Sequence, residues 1–211
     1  MERNKDTIVF DMGQVLIHWQ PLALIAHMNL NEEQKGLLLT ELFQSVEWVQ
    51  SDHGTIALEQ IVTQVCQRLP KELHPAVEEL VFGWWRRPLV PMEGIAELLR
   101  ELKEKGYKIY LLSNASVDLR KYFHRIPGSE CFDGLMVSAE EQLLKPQHEI
   151  YHILYSRFRL NPSRCLFIDD SPANIEGAIC TGMDGIIFRG DVARLRRELV
   201  QKGIDVAVAT E

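Results

Sequence analysis

Cysteine is scarce in this sequence, and the four cysteines form no recognisable motif. Cys66, Cys131, Cys165 and Cys180 are far apart, and no two of them make a CxxC pair. The spacing typical of structural zinc ligands and of thioredoxin-like redox pairs is therefore absent. We expect free thiols, with Cys66 and Cys165 buried because each lies in an apolar segment.

The chain also lacks long hydrophobic runs and an excess of positive charge. No stretch approaches the roughly 18 apolar residues that suggest a membrane-spanning helix, and no apolar signal-peptide region follows the charged first six residues. The net charge of −7 gives no electrostatic support for coating nucleic acid. We therefore expect a cytoplasmic, monomeric protein without membrane or nucleic-acid partners.

What is present is an ordinary globular composition that can bury a substantial core. Of the 211 residues, 46% are hydrophobic and 25% are charged. Strand-like apolar runs alternate with amphipathic helical stretches after residue 88, which is typical of a doubly wound α/β fold with a parallel sheet. The predicted strands cover 8–10, 108–112, 135–137, 165–168 and 185–188.

Residues 21 to 88 show helical patterning with no strand-like alternation. The apolar residues from Leu58 to Leu69 recur at the i, i+3, i+4, i+7 spacing of an amphipathic helix. We place Asp52, His53 and Gly54 in a loop between helices. The chain is thus expected to divide into a core domain, 1–16 with 89–211, and an inserted helical domain, 17–88. The predicted helices of the insertion lie near 22–29, 32–43, 58–69 and 76–84.

Four of the predicted strands lead into residues suited to phosphate chemistry. Asp11 follows the first strand, Ser113 the second, Lys145 comes a little after the third, and Asp169 with Asp170 follows the fourth. The carboxyl ends of parallel strands share one edge of the sheet, so these residues should converge. Taken singly, each has an ordinary alternative as a turn residue, a helix cap, a helix-terminal charge or a solvated lysine. A single phosphate-ester site explains all of them together.

The order and surroundings of these residues resemble the haloacid dehalogenase superfamily, most of whose members are phosphatases. The resemblance covers the whole chain, and the insertion is similar to the family's C1-type helical cap. Residues 169–178, with Asp-Asp followed by Asn-Ile-Glu-Gly-Ala, look most like the bacterial α-D-glucose-1-phosphate phosphatases of that family. The matching stretches are Phe10-Asp11-Met12-Gly13-Gln14-Val15, Leu111-Leu112-Ser113-Asn114, Lys145-Pro146 and Phe167-Ile168-Asp169-Asp170-Ser171.

The resemblance implies hydrolysis of small phosphate monoesters, with a sugar phosphate such as glucose 1-phosphate as the substrate. Asp11 would be the nucleophile and would form an aspartyl-phosphate. The implied cofactor is Mg²⁺, held by Asp11, the backbone carbonyl of Gly13 and Asp170. Asp169 would support the water shell of the metal or Lys145, and Asn174 would act behind these ligands.

The resemblance also implies how the phosphate group is bound. Lys145 would neutralise both the nucleophile and the phosphate as a point charge. Ser113 would donate a hydrogen bond to a phosphoryl oxygen, assisted by backbone N–H groups around Met12, Gly13 and Asn114. The expected catalytic residues are therefore Asp11, Ser113 and Lys145.

One position departs from the family pattern. Most of its phosphatases carry a second Asp two residues after the nucleophile, which protonates the leaving alcohol and then activates water, but Gly13 stands there in this chain. Such help is typically worth about 10²–10⁴-fold in rate. His18, His53 or Asp52 could replace it, or a sugar 1-phosphate could leave readily enough without it. The third alternative is a slow or non-catalytic phosphosugar-binding protein.

The helical cap is expected to set substrate specificity, because the core motifs bind only the phosphate. Two rival activities are disfavoured: the Asp169-Asp170 pair argues against a metal-free haloacid dehalogenase, and Gly13 argues against a phosphosugar mutase. Aromatic residues in a cap more often belong to its core, and an Arg-Arg pair is more often solvated. The cap residues to consider first for this role are Trp48, His53, Trp84, Trp85, Arg86 and Arg87.

Overall fold

Five parallel strands form a single sheet in the computed structural model, which describes residues 5–208. The sheet order is β3-β2-β1-β4-β5, so the first strand lies at its centre between β2 and β4. This confirms the predicted α/β fold with a parallel, doubly wound sheet. The strands are β1 Thr7–Phe10, β2 Lys108–Ser113, β3 Gly134–Val137, β4 Cys165–Asp169 and β5 Asp184–Ile187.

Eleven α-helices are present in the described residues, six of them between β1 and β2. Among the described residues, no helix is long and apolar enough to cross a bilayer. The first five are α1 Pro21–Ala26, α2 Glu32–Leu38, α3 Val46–His53, α4 Leu58–Arg68 and α5 His74–Gly83. Helix α2 continues as a π-helical turn over Leu39–Phe43. The others are α6 Ile95–Glu104, α7 Leu119–Tyr122, α8 Ser138–Glu141, α9 His148–Phe158, α10 Pro172–Cys180 and α11 Val192–Gln201.

Alternate residues of the central strand enter two hydrophobic clusters, one on each face of the sheet. Ile8 and Phe10 belong to a cluster that includes apolar residues of α6 and α11, while Val9 belongs to a cluster with those of α9 and α10. This division follows from the two-residue period of a strand, whose successive side chains point to opposite faces. Both faces are covered, as expected of a parallel sheet.

The inserted helices leave the core and return to it through two segments that lie side by side. The backbone N–H of His18 donates to the carbonyl of Val90 at 2.8 Å, and that of Met92 donates to Leu16 at 2.9 Å. These contacts lie next to the predicted domain boundaries at 16/17 and 88/89. The domain division itself stays a prediction.

The main error of the sequence-based interpretation concerns helix α3, because Asp52 and His53 were placed in a loop. Both residues lie in the last turn of this helix, which ends at Gly54 with a φ of 74°. The helix was missed because its pattern is inverted: Val46 and Val49 are exposed, whereas Glu47 and Ser51 are buried. A periodicity argument cannot recognise a helix that buries its polar side chains.

All four cysteines are free thiols, as expected. Cys165 is buried in β4, which confirms the prediction for that residue. The prediction is wrong for Cys66, which is only half-buried, because it lies at the edge of the apolar stripe of α4.

Candidate active site

Asp11 stands at the carboxyl end of the central strand, where the sequence placed it. Its backbone N–H donates to the carbonyl of Ile168 in β4 at 2.9 Å, which extends the pairing of the two strands by one residue. The following loop is compact, because the N–H groups of Leu16 and Ile17 both donate to the Met12 carbonyl, at 2.8 and 3.1 Å. The Asp11 side chain is therefore fixed at the edge of the sheet.

Lys145 joins Asp11 to Asp169 by two buried ion pairs. Its Nζ lies 2.8 Å from Oδ1 of Asp11 and 2.7 Å from Oδ2 of Asp169. Burial alone would lower the pKa of Lys145, but the two carboxylates raise it above its ordinary value. Burial raises the pKa of Asp11, and the charge of Asp169 adds to this effect while Lys145 opposes it. The three groups form one electrostatic unit in which the ammonium stays charged.

Asn114 positions the backbone of Lys145. Its Nδ2 donates to the Lys145 carbonyl at 3.1 Å, and its Oδ1 accepts from the Lys145 N–H at 2.8 Å. This pair of bonds ties the loop after β2 to the loop that carries the lysine. The sequence assigned Asn114 to phosphate binding through its backbone and did not foresee this role for its side chain.

Asp169 is fully buried and receives hydrogen bonds on both carboxylate oxygens. Ser171 N–H donates to Oδ1 at 2.8 Å, and Nδ2 of Asn174 lies 3.1 Å from Oδ1 and 3.0 Å from Oδ2. With Lys145 on Oδ2, this carboxylate is surrounded by donors. Its place beside Lys145, and that of Asn174 behind it, agree with the arrangement expected from the sequence.

A third carboxylate, Asp170, completes an acidic cluster at this edge of the sheet. Asp11, Asp169 and Asp170 each place one oxygen within 4.8 Å of the others. Burial, followed by the charge of Asp169, raises the pKa of Asp170. Oδ1 of Asp11 is buried and, among residues 5–208, has the ion pair with Lys145 but no well-aligned hydrogen bond. Three clustered carboxylates of this kind offer the hard oxygen donors that fit Mg²⁺.

A cavity of about 260 Å³ opens over Asp11 between the core and the inserted helices. The core side of the cavity carries most of the predicted phosphate-binding and metal-binding residues. Lys145, Asp169 and Asn174 are not in the lining and lie beneath it. The core residues that line the cavity are Asp11, Met12, Gly13, Gln14, Ser113, Asn114, Ala115, Ser116, Tyr122 and Asp170.

A family model described as haloacid dehalogenase-like hydrolase matches residues 5–182. The chain belongs to this family of hydrolases. This confirms the superfamily and the enzyme class that the motifs predicted. The site described above lies wholly within the matched part of the chain.

Curated relatives of this hydrolase include phosphatases of similar length. This chain is 28% identical over 191 residues to the sesquiterpene phosphatase astK of Aspergillus oryzae, and the match covers 88% of this chain and 90% of that protein. It is 23% identical over 184 residues to a phosphorylated carbohydrates phosphatase of Thermotoga maritima, covering 86% and 83% of the two. These relatives support hydrolysis of phosphate esters. The narrower resemblance to glucose-1-phosphate phosphatases stays a prediction.

The fold of this hydrolase is shared by solved structures. A HAD family enzyme of Bacteroides thetaiotaomicron, crystallised as an Asp-to-Ala mutant with magnesium and inorganic phosphate, superposes with a TM-score of 0.68. The two sequences are 19% identical, and the match covers 90% of this chain and 98% of that one. At this identity the likeness establishes the fold.

The cap side of the hydrolase's cavity is mostly apolar and aromatic. Trp19 stacks on Trp48 with ring centroids 5.9 Å apart and meets Trp84 edge-on at 4.7 Å. The sequence named Trp48 and Trp84 but missed Trp19, whose position at the start of the insertion was the available signal. The cap-side lining consists of Trp19, Trp48, Ser51, Asp52, Leu58, Ile61, Val81 and Trp84.

The other cap residues that the sequence singled out do not line this cavity. His53 contacts the carbonyl of Gln142 through Nε2 at 2.8 Å, and Trp85 donates from Nε1 to Asp118 at 3.1 Å. Arg86 lies over the Trp85 ring, and Arg87 donates to Glu79 at 2.6 Å. Each of these four residues is engaged in contacts that hold the cap together or hold it to the core, and their expected role in shaping the substrate site stays a prediction.

Asp52 is the acidic residue of the cap that faces the nucleophile. Burial, and to a smaller extent the negative charge of Asp11, raise its pKa to about 8, although a hydrogen bond with the backbone of Ser116 lowers it. Of the three residues considered as replacements for the missing acid, His18 lines a different cavity and His53 is directed to Gln142. Only Asp52 lines the cavity that contains Asp11.

Proposed function

We propose that this hydrolase cleaves phosphate monoesters by transferring the phosphoryl group to Asp11 and then hydrolysing the aspartyl-phosphate. The observation that carries the proposal is the contact of Asp11, which lines the cavity, with the buried Lys145 beneath it, with 2.8 Å between Oδ1 and Nζ. A buried carboxylate needs a positive neighbour to remain ionised and to approach a dianionic phosphate. The lysine supplies that charge without reorganisation.

The surrounding residues divide the work of binding the phosphate. Lys145 neutralises the nucleophile and one phosphoryl oxygen, while Asp169 and Asn114 hold its ammonium and its backbone in place. The Ser113 hydroxyl and the backbone N–H groups of the loop after Asp11 donate to the remaining oxygens. Fixed donors of this kind favour the transition state, in which charge builds up on those oxygens.

Mg²⁺ is the cofactor we propose for this site. Asp11, Asp170 and the backbone carbonyl of Gly13 would hold it, whereas Asp169 already receives several hydrogen bonds. When bound, the cation supplies further positive charge for the phosphate and the nucleophile. The magnesium and phosphate in the Bacteroides relative's structure support this assignment.

Two classes of leaving alcohol are candidates. The resemblance of the motifs favours a sugar phosphate such as glucose 1-phosphate, and the Thermotoga relative is named for phosphorylated carbohydrates. The lining favours an apolar alcohol instead, because Trp19, Trp48 and Ile61 offer no matched set of partners for sugar hydroxyls. In addition, the amide Nε2 of Gln14 already donates to the Trp19 carbonyl at 2.9 Å. The Aspergillus relative, named for a sesquiterpene substrate, agrees with this second candidate.

The experiment is a phosphate-release assay with Mg²⁺ on matched substrates. The panel contains glucose 1-phosphate, glucose 6-phosphate and the monophosphate of 3-methylbut-3-en-1-ol, each with wild type, Asp11→Asn and Asp205→Asn. Asp205 is a suitable control because its carboxylate pairs with Lys105 at the surface. We expect Asp11→Asn to abolish release and Asp205→Asn to leave it unchanged. The ratio of kcat/KM values between sugar and alkenyl phosphate decides the substrate class.

The same assay separates the rival functions. A phosphosugar-binding protein without turnover would bind glucose 1-phosphate but release no phosphate from any member of the panel. A haloacid dehalogenase would release chloride from 2-chloropropionate in the presence of EDTA. Release that persists in Asp11→Asn would remove the assignment of the nucleophile.

A further inference from the structure

We propose that Asp52 is the catalytic acid and base of this hydrolase, supplied by the cap in place of the side chain that Gly13 lacks. The inference rests on the proposed phosphatase function and adds the proton transfers that the function requires. Hydrolysis of an unactivated phosphate ester must deliver a proton to the departing alcohol and remove one from water. No residue of the core motifs is free to do both.

The position of Asp52 is the first argument. Three acidic residues line the cavity within residues 5–208, namely Asp11, Asp52 and Asp170. Asp11 is assigned to nucleophilic attack and Asp170 to the metal. Asp52 comes from the opposite wall, so it faces the side of the phosphate that carries the leaving alcohol.

The backbone around Asp52 is held firmly, which is the second argument. Ser138, at the start of α8, donates its hydroxyl to the Asp52 carbonyl and accepts a hydrogen bond from the N–H of Ala115 at 2.9 Å. The neighbouring His53 contacts Gln142 beyond the same helix. The end of α3 is therefore docked on the core, and Asp52 lines the same cavity as Asp11.

The surroundings of Asp52 favour the neutral acid, which is the third argument. The groups that face it are the Asp11 carboxylate, the Tyr122 hydroxyl from α7 and the backbone of Ser116. No lysine, arginine or histidine lines the cavity in the described part of the chain. With a pKa raised to about 8 by burial, the group is protonated near neutral pH. It can therefore donate a proton first and accept one later.

The two proton transfers balance. In the first step Asp11 attacks phosphorus, the bond from phosphorus to the alcohol oxygen breaks with its electron pair on that oxygen, and Asp52 gives it a proton. In the second step water attacks phosphorus, Asp52 takes the proton of that water, and the bond from phosphorus to Asp11 breaks. The products are the alcohol and inorganic phosphate, and both carboxyl groups return to their starting states.

The decisive test uses leaving groups that need different amounts of protonation. We would measure kcat/KM for 4-nitrophenyl phosphate and for an alkyl phosphate with wild type, Asp52→Asn, Asp52→Glu and His53→Gln. This ratio reports the steps up to the first irreversible one, so it excludes later hydrolysis of the phosphoenzyme. We expect Asp52→Asn to lose about 100-fold or more on the alkyl phosphate and less than about tenfold on the nitrophenyl ester, since nitrophenolate leaves without a proton.

Further readouts separate proton transfer from a structural role. Asp52→Asn should keep the wild-type inhibition constant for inorganic phosphate, and Asp52→Glu should recover part of the alkyl activity. His53→Gln should change both substrates by the same small factor. The alkyl rate of wild type should fall as the pH rises through about 8, and this fall should disappear in Asp52→Asn.

Two results would overturn the inference. Equal losses on both substrates in Asp52→Asn would show that the residue only shapes the cavity, while the phosphatase assignment would stand. If wild type released phosphate from neither ester, the proposed function and this inference would both fall.

Discussion

The ammonium of Lys145 lies 2.7 Å from the Asp169 carboxylate, and both side chains are almost completely removed from solvent. Such a pair brings little net stability when intact, yet removing one partner leaves a buried charge without compensation. The same ammonium contacts Asp11, so the pair serves the reaction as well as the fold. Substitutions at these positions should therefore change stability and activity together.

Replacing the lysine tests this coupling. We expect Lys145→Met to reduce kcat/KM for any accepted phosphate ester by at least about 100-fold, as for the loss of a preorganised charge. It should also lower the free energy of unfolding by about 3–5 kcal/mol, because Asp169 remains buried and unpaired. Urea unfolding and phosphate release measure the two effects. An active variant of wild-type stability would contradict the assigned role.

The metal assignment predicts a difference between two neighbouring polar residues. Asp170→Asn should raise the Mg²⁺ concentration needed for half-maximal activity far more than Asn174→Ala does. The reason is that Asp170 would bind the cation directly, whereas Asn174 donates to both oxygens of Asp169. Titration of activity with Mg²⁺ after chelation by EDTA measures the difference. Equal shifts in the two variants would show that the ligand set is wrong.

The cap contains a buried carboxylate whose charge stabilises the folded state. Hydrogen bonds from Arg68 lower the pKa of Glu47 from an ordinary 4.5 to about 2. The stabilisation is therefore fully present above about pH 4.5 and is lost as the pH falls through about 2. We expect Glu47→Gln to cost about 1–3 kcal/mol at pH 7.

This cost should shrink as the pH is lowered, because protonation removes the same charge from wild type. Thermal unfolding at a series of pH values measures it. Glu33→Gln is a matched control, since Glu33 is exposed on α2. A cost that is independent of pH would indicate that lost packing, and not lost charge, is responsible.

Gly54 ends α3 at a point where no other residue fits. Its φ of 74° favours glycine, and an added Cβ would lie 2.1 Å from the Ala139 carbonyl oxygen. We expect Gly54→Ala to destabilise the contact of α3 with α8 and to lower kcat/KM by displacing Asp52. Gly36→Ala is the control, because nothing lies within 4 Å of its added Cβ and the change should stabilise α2 by about 0.5–1 kcal/mol. A fully active, stable Gly54→Ala variant would contradict the docking.

The core of the site was predictable from the sequence because its signals are local. Each of Asp11, Ser113 and Asp169 comes at the end of an apolar strand, and the parallel sheet brings such ends together. The chemistry of these residue types then suggested a phosphate site. The monomeric state and the cytoplasmic location have no comparable support and stay predictions.

The cap side of the cavity was much less predictable, for two physical reasons. Helix α3 buries Glu47 in an ion pair and exposes Val46, so its pattern conceals the element that carries Asp52. The lining also depends on contacts between distant segments, such as the stacking of Trp19 on Trp48. Single-sequence periodicity contains no information on which cap residues meet the core.

The most direct measurement of the central claim is to identify the residue that receives the phosphoryl group. Wild type and Asp11→Asn would be mixed with a ³²P-labelled phosphate ester, quenched in acid within a single turnover and digested at low pH for peptide mapping. We predict label on the peptide containing Asp11 in wild type and none in Asp11→Asn. Label on another residue, or phosphate release without any labelled peptide, would contradict the account.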